Sequence, residues 1–187
     1  MSILPITMCG DKILRKKVAK VTVVNNQIIK LISDMFETMH NAKGIGLAAN
    51  QVGANKQIFV VDISMVEGYE NTKPIALINP KIIAKSEEVI GWEEGCLSIP
   101  DQREEVFRPE KITIEFQDID FNVHIIEADD LLARVMQHEY DHLLGILFTD
   151  LVDDETKKKL KKPLNRIKNR KIDVDYPISQ SADYRII

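Results

Sequence analysis

Gln137-His138-Glu139-Tyr140-Asp141-His142-Leu143-Leu144-Gly145 decides how the rest of the chain is read. Histidines four residues apart on a helix differ by only about 40° around its axis, so both imidazoles reach one ion on the same face. Leu131, Val135, His138 and His142 fall on that face, which turns the histidines into the protein. Asp129 or Asp130 suits the N-cap and Gly145 the stop. Glu139 lies beside the face, where a carboxylate can act as a base on a water without being a ligand. Arg134 is also close to it, and spacing does not fix where its head goes. The pattern is short, and a histidine pair in an ordinary buried helix is the competing reading. A catalytic ion takes three protein ligands and one open position, so the chain must supply a third.

Outside this stretch, composition sets bounds. The chain has 187 residues, 44% of them hydrophobic, enough for one domain with a substantial core. Its longest apolar runs fall far short of the roughly 20 residues that span a bilayer. The start, MSILPITMCGDKILRKK, has no secretory apolar region or small-residue cleavage site. Cys9 and Cys96 are the only cysteines, which is no disulfide framework and fits a reduced compartment. A cytoplasmic location is the default expectation. The net charge of −4 argues against a nucleic-acid binder as a whole, yet Lys157 to Lys171 carries nine basic residues and no acidic one.

In chain order, Asn25 or Asn26 caps a helix with apolar residues Ile28, Leu31, Ile32, Met35, Phe36 and Met39 at helical spacing. It is expected to end near Lys43-Gly44 in a left-handed glycine, with His40 solvated or facing the helix dipole. Gly44 to Gly53 has small residues where a ligand or another backbone approaches closely, and its glycine spacing is not that of a dinucleotide loop. Strands are expected at residues 57–63, 74–79, 81–84 (with Pro80 between the last two), 88–92, 111–117 and 122–126. His124 is expected on a solvent face. A short helix over residues 153–162 is expected to stop at Pro163, and residues 172–178 alternate like a strand.

Cys96 is the candidate third ligand, because a thiolate with two imidazoles makes an acceptable tetrahedral set for zinc or ferrous iron. A buried, inert thiol is the alternative. Three segments together, GIGLAANQVG from Gly44, EGCLS from Glu94 and QHEYDHLLG from Gln137, resemble the motifs of the peptide deformylase family in order and separation. The resemblance runs from about Leu4 to about Val152 and includes LPI near the start, INP at Ile78, IPDQR at Ile99 and LFTD at Leu147.

That resemblance implies hydrolytic removal of the formyl group from the N-terminal formylmethionine of nascent polypeptides, with release of formate. It implies Cys96, His138 and His142 as metal ligands, Fe2+ first and Zn2+, Ni2+ or Co2+ in the same site. Glu139 would be the acid/base, and Gln51 with the backbone N–H of Leu97 would share the charge on the formyl oxygen. Backbone around Ile45, Gly46 and Gly95 would pair with an extended peptide. Ile45, Trp92, Leu131, Val135 and the stem of Arg134 would wall the methionine pocket, and Arg103 would meet a substrate carbonyl. The fold class expected is α+β, antiparallel sheets around a central helix carrying the His-Glu-x-x-His motif. Residues 1–152 would form one catalytic metallohydrolase domain, with the basic helix and tail of residues 153–187 packed on it.

Two other readings compete. A zinc peptidase shares the His-Glu-x-x-His pattern but predicts a ligand after His142, where no histidine follows. A structural metal site predicts a fourth protein ligand and indifference to Glu139. The basic run 157–171 is read either as a surface attracted to ribosomal RNA or as a solvated helix face. No membrane or specific DNA partner is expected.

Overall fold

The structure is a computed structural model that describes residues 2–187. After a 3-10 turn at Lys12–Arg15 comes α1 (Asn26–Asn41), where the Asn25 side chain accepts from the N–H groups of Gln27 and Ile28, both at 3.1 Å. Its apolar stripe buries Ile28, Leu31, Ile32, Met35 and Met39. The expected left-handed glycine stop does not form. Ala42 is the cap, Lys43 takes φ +55°, and Gly44 is small for another reason: a Cβ there would come within 2.8 Å of Leu97 Cδ1.

Short strand β1 (Gly46–Ala48) leads through a 3-10 turn at Ala49–Val52 to β2 (Ile58–Val61). Next come β3 (Ile75–Lys85), β4 (Val89–Cys96), β5 (Ile99–Pro109), β6 (Ile112–Gln117) and β7 (Val123–Ala128). A five-stranded sheet runs β1-β2-β3-β6-β7, every pairing antiparallel, and β4 with β5 forms a separate two-stranded ribbon. β3 is one strand where two were expected. Pro80 lies at a slip of register between Ile78 and Lys81, beside Asn79 at φ +50°, so no ladder N–H is asked of the proline. β4 reaches Cys96, well past Trp92, and β5 was not anticipated at all.

Helix α2 (Asp130–Leu144) ends at Gly145, φ +80°, as the sequence suggested. Its inner face packs Ala133, Val135, Met136 and Leu143 against Phe59, Val61, Leu77 and Ile114 of the large sheet. Truncating a fully buried side chain such as Met136 costs about 2–5 kcal/mol, so this contact fixes where the helix presents its histidines.

Helix α3 (Asp154–Lys168) continues through Pro163, contrary to expectation. A proline removes one backbone bond, but Leu160 and Ile167 are buried with Met8, Leu147 and Phe148, and that burial offsets the loss. The lysines of this helix are exposed. Beyond it, residues 172–178 do alternate half-buried and exposed, yet form no strand: the described contacts include only an isolated parallel bridge between Ile6 and Ile178. The last residues return to the 3-10 turn region, where Ile186 N–H donates to Gly53 O at 3.0 Å and Asn55 N–H to Ile187 O at 2.8 Å.

His40 is exposed and bonded to Asp62 Oδ2 at 2.8 Å; His124 is equally exposed, 2.7 Å from Asp118 Oδ2. Among the described residues no helix is long and apolar enough to cross a membrane.

Candidate metal centre

His138, Glu139 and His142 lie on the buried face of α2, and Cys96 closes β4 just before the turn Leu97-Ser98. Packing brings these elements together so that one donor atom each from Cys96, His138 and His142 lies within 4.8 Å of the others. Cys96 Sγ is 3.2 Å from His142 Nε2. Such a thiolate and two imidazoles fit one ion with a fourth position left open. Beside them Glu139 Oε2 is buried with no partner, as a carboxylate awaiting a proton donor would be. Burial pushes the Glu139 pKa up to about 7.

A buried polar ring supports the histidines. His138 Nδ1 is 2.9 Å from Glu94 Oε2, so the other ring nitrogen is left for the centre. Glu94 also accepts from Arg108 Nε at 2.6 Å, Arg108 Nη2 at 3.0 Å and Arg134 Nη1 at 2.8 Å, and Arg108 Nη1 reaches Asp141 at 2.6 Å. Burial disfavours charge on Glu94, but the bonds from His138 and Arg108 outweigh it and hold its pKa well below the carboxylate range. The two imidazoles are split. Burial opposes charge on His138 too, yet the neighbouring Cys96 and Glu94 raise its pKa; burial and the neighbouring His138 drive His142 far down.

On the other side, Gln51 is fixed at both ends of its amide. Its Oε1 accepts from Ala48 N–H at 2.7 Å, and its Nε2 lies 3.3 Å from Ser98 Oγ and 3.5 Å from Cys96 Sγ. Asn50 Nδ2 donates to His142 O at 2.5 Å, tying the same turn to α2. Gly46 faces Glu139 so closely that a Cβ would meet Oε1 at 2.5 Å and Val135 Cγ1 at 2.7 Å.

These groups line a cleft of about 940 Å³. Ile45, Gly46, Gln51, Trp92, Gly95, Cys96, Leu97, Arg103, Leu131, Arg134, Val135, His138 and Glu139 all reach it, so the residues singled out in sequence converge there, while His142 sits behind them, 1% exposed. The head of Arg134 turns inward, bonding Glu94 and Val106 O and lying 5.9 Å from the centre of the Trp92 ring. Arg103 is exposed and 3.7 Å from Glu93. Sequence reasoning missed Glu94, Arg108 and Asp141 as a set, and also Ser98, Asn50 and Tyr176. Glu94 stood inside a quoted motif, but nothing in spacing pairs it with Arg108.

The polypeptide deformylase family model matches residues 3–158. The chain belongs to the polypeptide deformylase family. Among curated relatives, a peptide deformylase of Salinibacter ruber is 43% identical over 188 residues, covering 97% of this chain and 96% of that one. One from Chlorobium phaeobacteroides is 44% identical over 181 residues, covering 97% of each. Among solved structures, the peptide deformylase of Ehrlichia chaffeensis superposes with a TM-score of 0.80 at 37% identity, over 91% of this chain and all of that one. A plant peptide deformylase gives 0.84 at 36%, over 90% of both. Deformylases are metal-dependent hydrolases that remove N-formyl groups from nascent peptides, and the cluster Cys96, His138 and His142 could hold the metal ion that such chemistry needs.

Proposed function

We propose that this deformylase holds one divalent ion on Cys96 Sγ and on His138 and His142, with Fe2+ the first choice and Zn2+, Ni2+ or Co2+ able to take the same place. The observation that carries the reading is the convergence of those three donors beside the buried, unpartnered Glu139 carboxylate. An ion so held supplies Lewis acidity and makes a water easier to deprotonate.

The remaining steps belong to the chain. Glu139 takes the proton of the attacking water and returns it to the departing amine, since an amide nitrogen leaves poorly until protonated. Burial, which raises the Glu139 pKa, suits a group that must do both. Gln51 Nε2 and Leu97 N–H donate to the formyl oxygen as charge builds on it; each such donor is worth about 2.7–4 kcal/mol in the transition state. Ile45, Trp92, Leu131, Val135 and the stem of Arg134 wall the methionine side chain. Backbone at Ile45, Gly46 and Gly95 pairs with the extended peptide, and Arg103 meets a carbonyl further along.

Formate release from formyl-Met-Ala by anaerobically purified, iron-loaded protein tests the reading, alongside Glu139→Ala with its metal content assayed. Release by the wild type, lost in a variant that keeps its metal, is expected. No release by metallated wild type would overturn it.

We propose that the exposed lysines of α3 draw the enzyme to the ribosome surface, where its substrate emerges, and that it works in the cytoplasm, which the two free thiols Cys9 and Cys96 suit. Unchanged ribosome co-sedimentation after charge reversal of Lys157, Lys158 and Lys161 would refute the first part.

A further inference from the structure

Strands β4 and β5 are joined through Leu97 and Ser98 alone, because Cys96 pairs with Ile99. Two-residue connections of this kind favour turns with positive φ, which match the twist of the strands. Neither Leu97 nor Ser98 takes one. The ladder also slips beside the turn, Gly95 facing Arg103 while Cys96 faces Ile99. The local backbone therefore gives this turn little of its own support, and its shape depends on bonds from elsewhere.

Three such bonds exist. Ser98 O accepts from Cys9 N–H at 2.8 Å, Ser98 Oγ lies 3.3 Å from Gln51 Nε2, and Leu97 O accepts from Tyr176 Oη at 2.8 Å. The third comes from the tail, which is pinned next to that tyrosine. Pro177 O accepts from Ile6 N–H and Ser179 N–H donates to Ile6 O, both at 2.9 Å. Ser179 Oγ then donates to the fully buried Asp11, 2.5 Å away, and Arg170 Nη2 bonds the other oxygen of Asp11 at 2.5 Å. Tyr176 is thus anchored to the body of the protein and reaches back to the turn.

We propose that Tyr176 is a positioning residue for deformylation: its hydroxyl holds the Leu97 carbonyl, and so keeps the Leu97 N–H aimed at the formyl oxygen. The proposal rests on the role given above to that N–H. It makes the tail, far from α2 in sequence, part of what sets the turnover rate.

Tyr176→Phe removes one oxygen and leaves the ring that packs against the core cluster of Ile6, Met8 and Ile99. The net worth of one hydrogen bond predicts a kcat lower by roughly three- to tenfold. KM, metal content, thermal midpoint and the visible spectrum of the Co2+-loaded protein are expected to stay as in the wild type. The fall should be equal for formyl-Met-Ala and for a formylated pentapeptide, since the effect is at the reacting carbonyl. A fall confined to the pentapeptide or to KM would make Tyr176 only a wall of the cleft, and an altered Co2+ spectrum would place its action on Cys96; either overturns the proposal, as does unchanged kcat. Wild-type protein that releases no formate would instead sink the assigned reaction itself.

Discussion

Replacing Glu94 with alanine removes the acceptor shared by three donors: His138 Nδ1, the Arg108 guanidinium and Arg134 Nη1, all within 3.0 Å of its carboxylate. Breaking a buried ion pair by deleting one partner costs about 3–5 kcal/mol, because a charge is left in the interior uncompensated. Here the guanidiniums keep other acceptors, Asp141 for Arg108 and the carbonyls of Ile90 and Val106 for Arg134. The loss should therefore fall at the low end, about 3 kcal/mol. For a chain of 187 residues that corresponds to a thermal midpoint lower by about 6–12 °C. Wild type and variant would be stripped with chelator before urea and thermal unfolding, so that weaker metal binding does not enter the comparison. A second readout is metal affinity, expected to weaken about 10–100-fold once His138 loses the group that orients its ring. A stripped variant within about 1 kcal/mol of wild type would refute the reasoning, since it would mean the arginines lose nothing by losing Glu94.

Other expectations follow from single contacts. Gly46→Ala drives a methyl group into Glu139 Oε1 and Val135; kcat/KM should fall on the order of a hundredfold, with a stable, folded protein by circular dichroism, and near-normal activity would refute it. Asp34 and Asp62 are buried carboxylates. Burial alone would raise their pKa values, but bonds from Lys30 and Ser2 to Asp34, and from Ser64 and His40 to Asp62, hold both below the ordinary range. A depressed folded pKa contributes stability above the unfolded value and loses it as pH falls through the folded one. The urea midpoint should thus drop between about pH 5 and about pH 3, and drop less in the Asp34→Asn/Asp62→Asn protein. Pro163→Ala restores a backbone bond inside α3 and should stabilise the protein by about 1–2 kcal/mol in urea; a loss of stability would mean that the proline ring packs better than its half-buried position suggests.

Where side-chain period and short-range chemistry act together, the sequence was readable. Asn25, the stripe from Ile28 to Met39 and Gly145 mark two helices by caps and spacing, while Asp129 stands at the N-cap without a capping bond from its side chain; the histidines are read from the same period that buries Val135. Cys96 was legible as a donor type but not as a neighbour of His138, since only the packing of α2 against the sheet and ribbon decides that. β5 escaped because nearly half of Ile99–Pro109 is charged: its inward residues include Arg108, whose burial makes sense only once Glu94 and Asp141 are beside it. The tail misled in the opposite way. Ile172, Val174, Tyr176 and Ile178 do alternate in burial, but a strand needs a partner along its length and this segment pairs only at Ile178. Pro80 and Pro163 were each read as breaks, and in each case the surroundings did not need the missing N–H or outweighed its loss.

The bonds from residues 186 and 187 to Gly53 and Asn55 carry a consequence for how a copy of this enzyme comes into being. Synthesis runs from the N-terminus, so the turn that bears Gln51 leaves the ribosome long before the segment that covers it. Until residues 184–187 emerge, that turn lacks its outer hydrogen bonds, and until Tyr176 emerges the Leu97 carbonyl lacks its donor. A chain ending before Tyr176 would contain Cys96, His138 and His142 and yet lack both the donor to the Leu97 carbonyl and the outer bonds of the Gln51 turn.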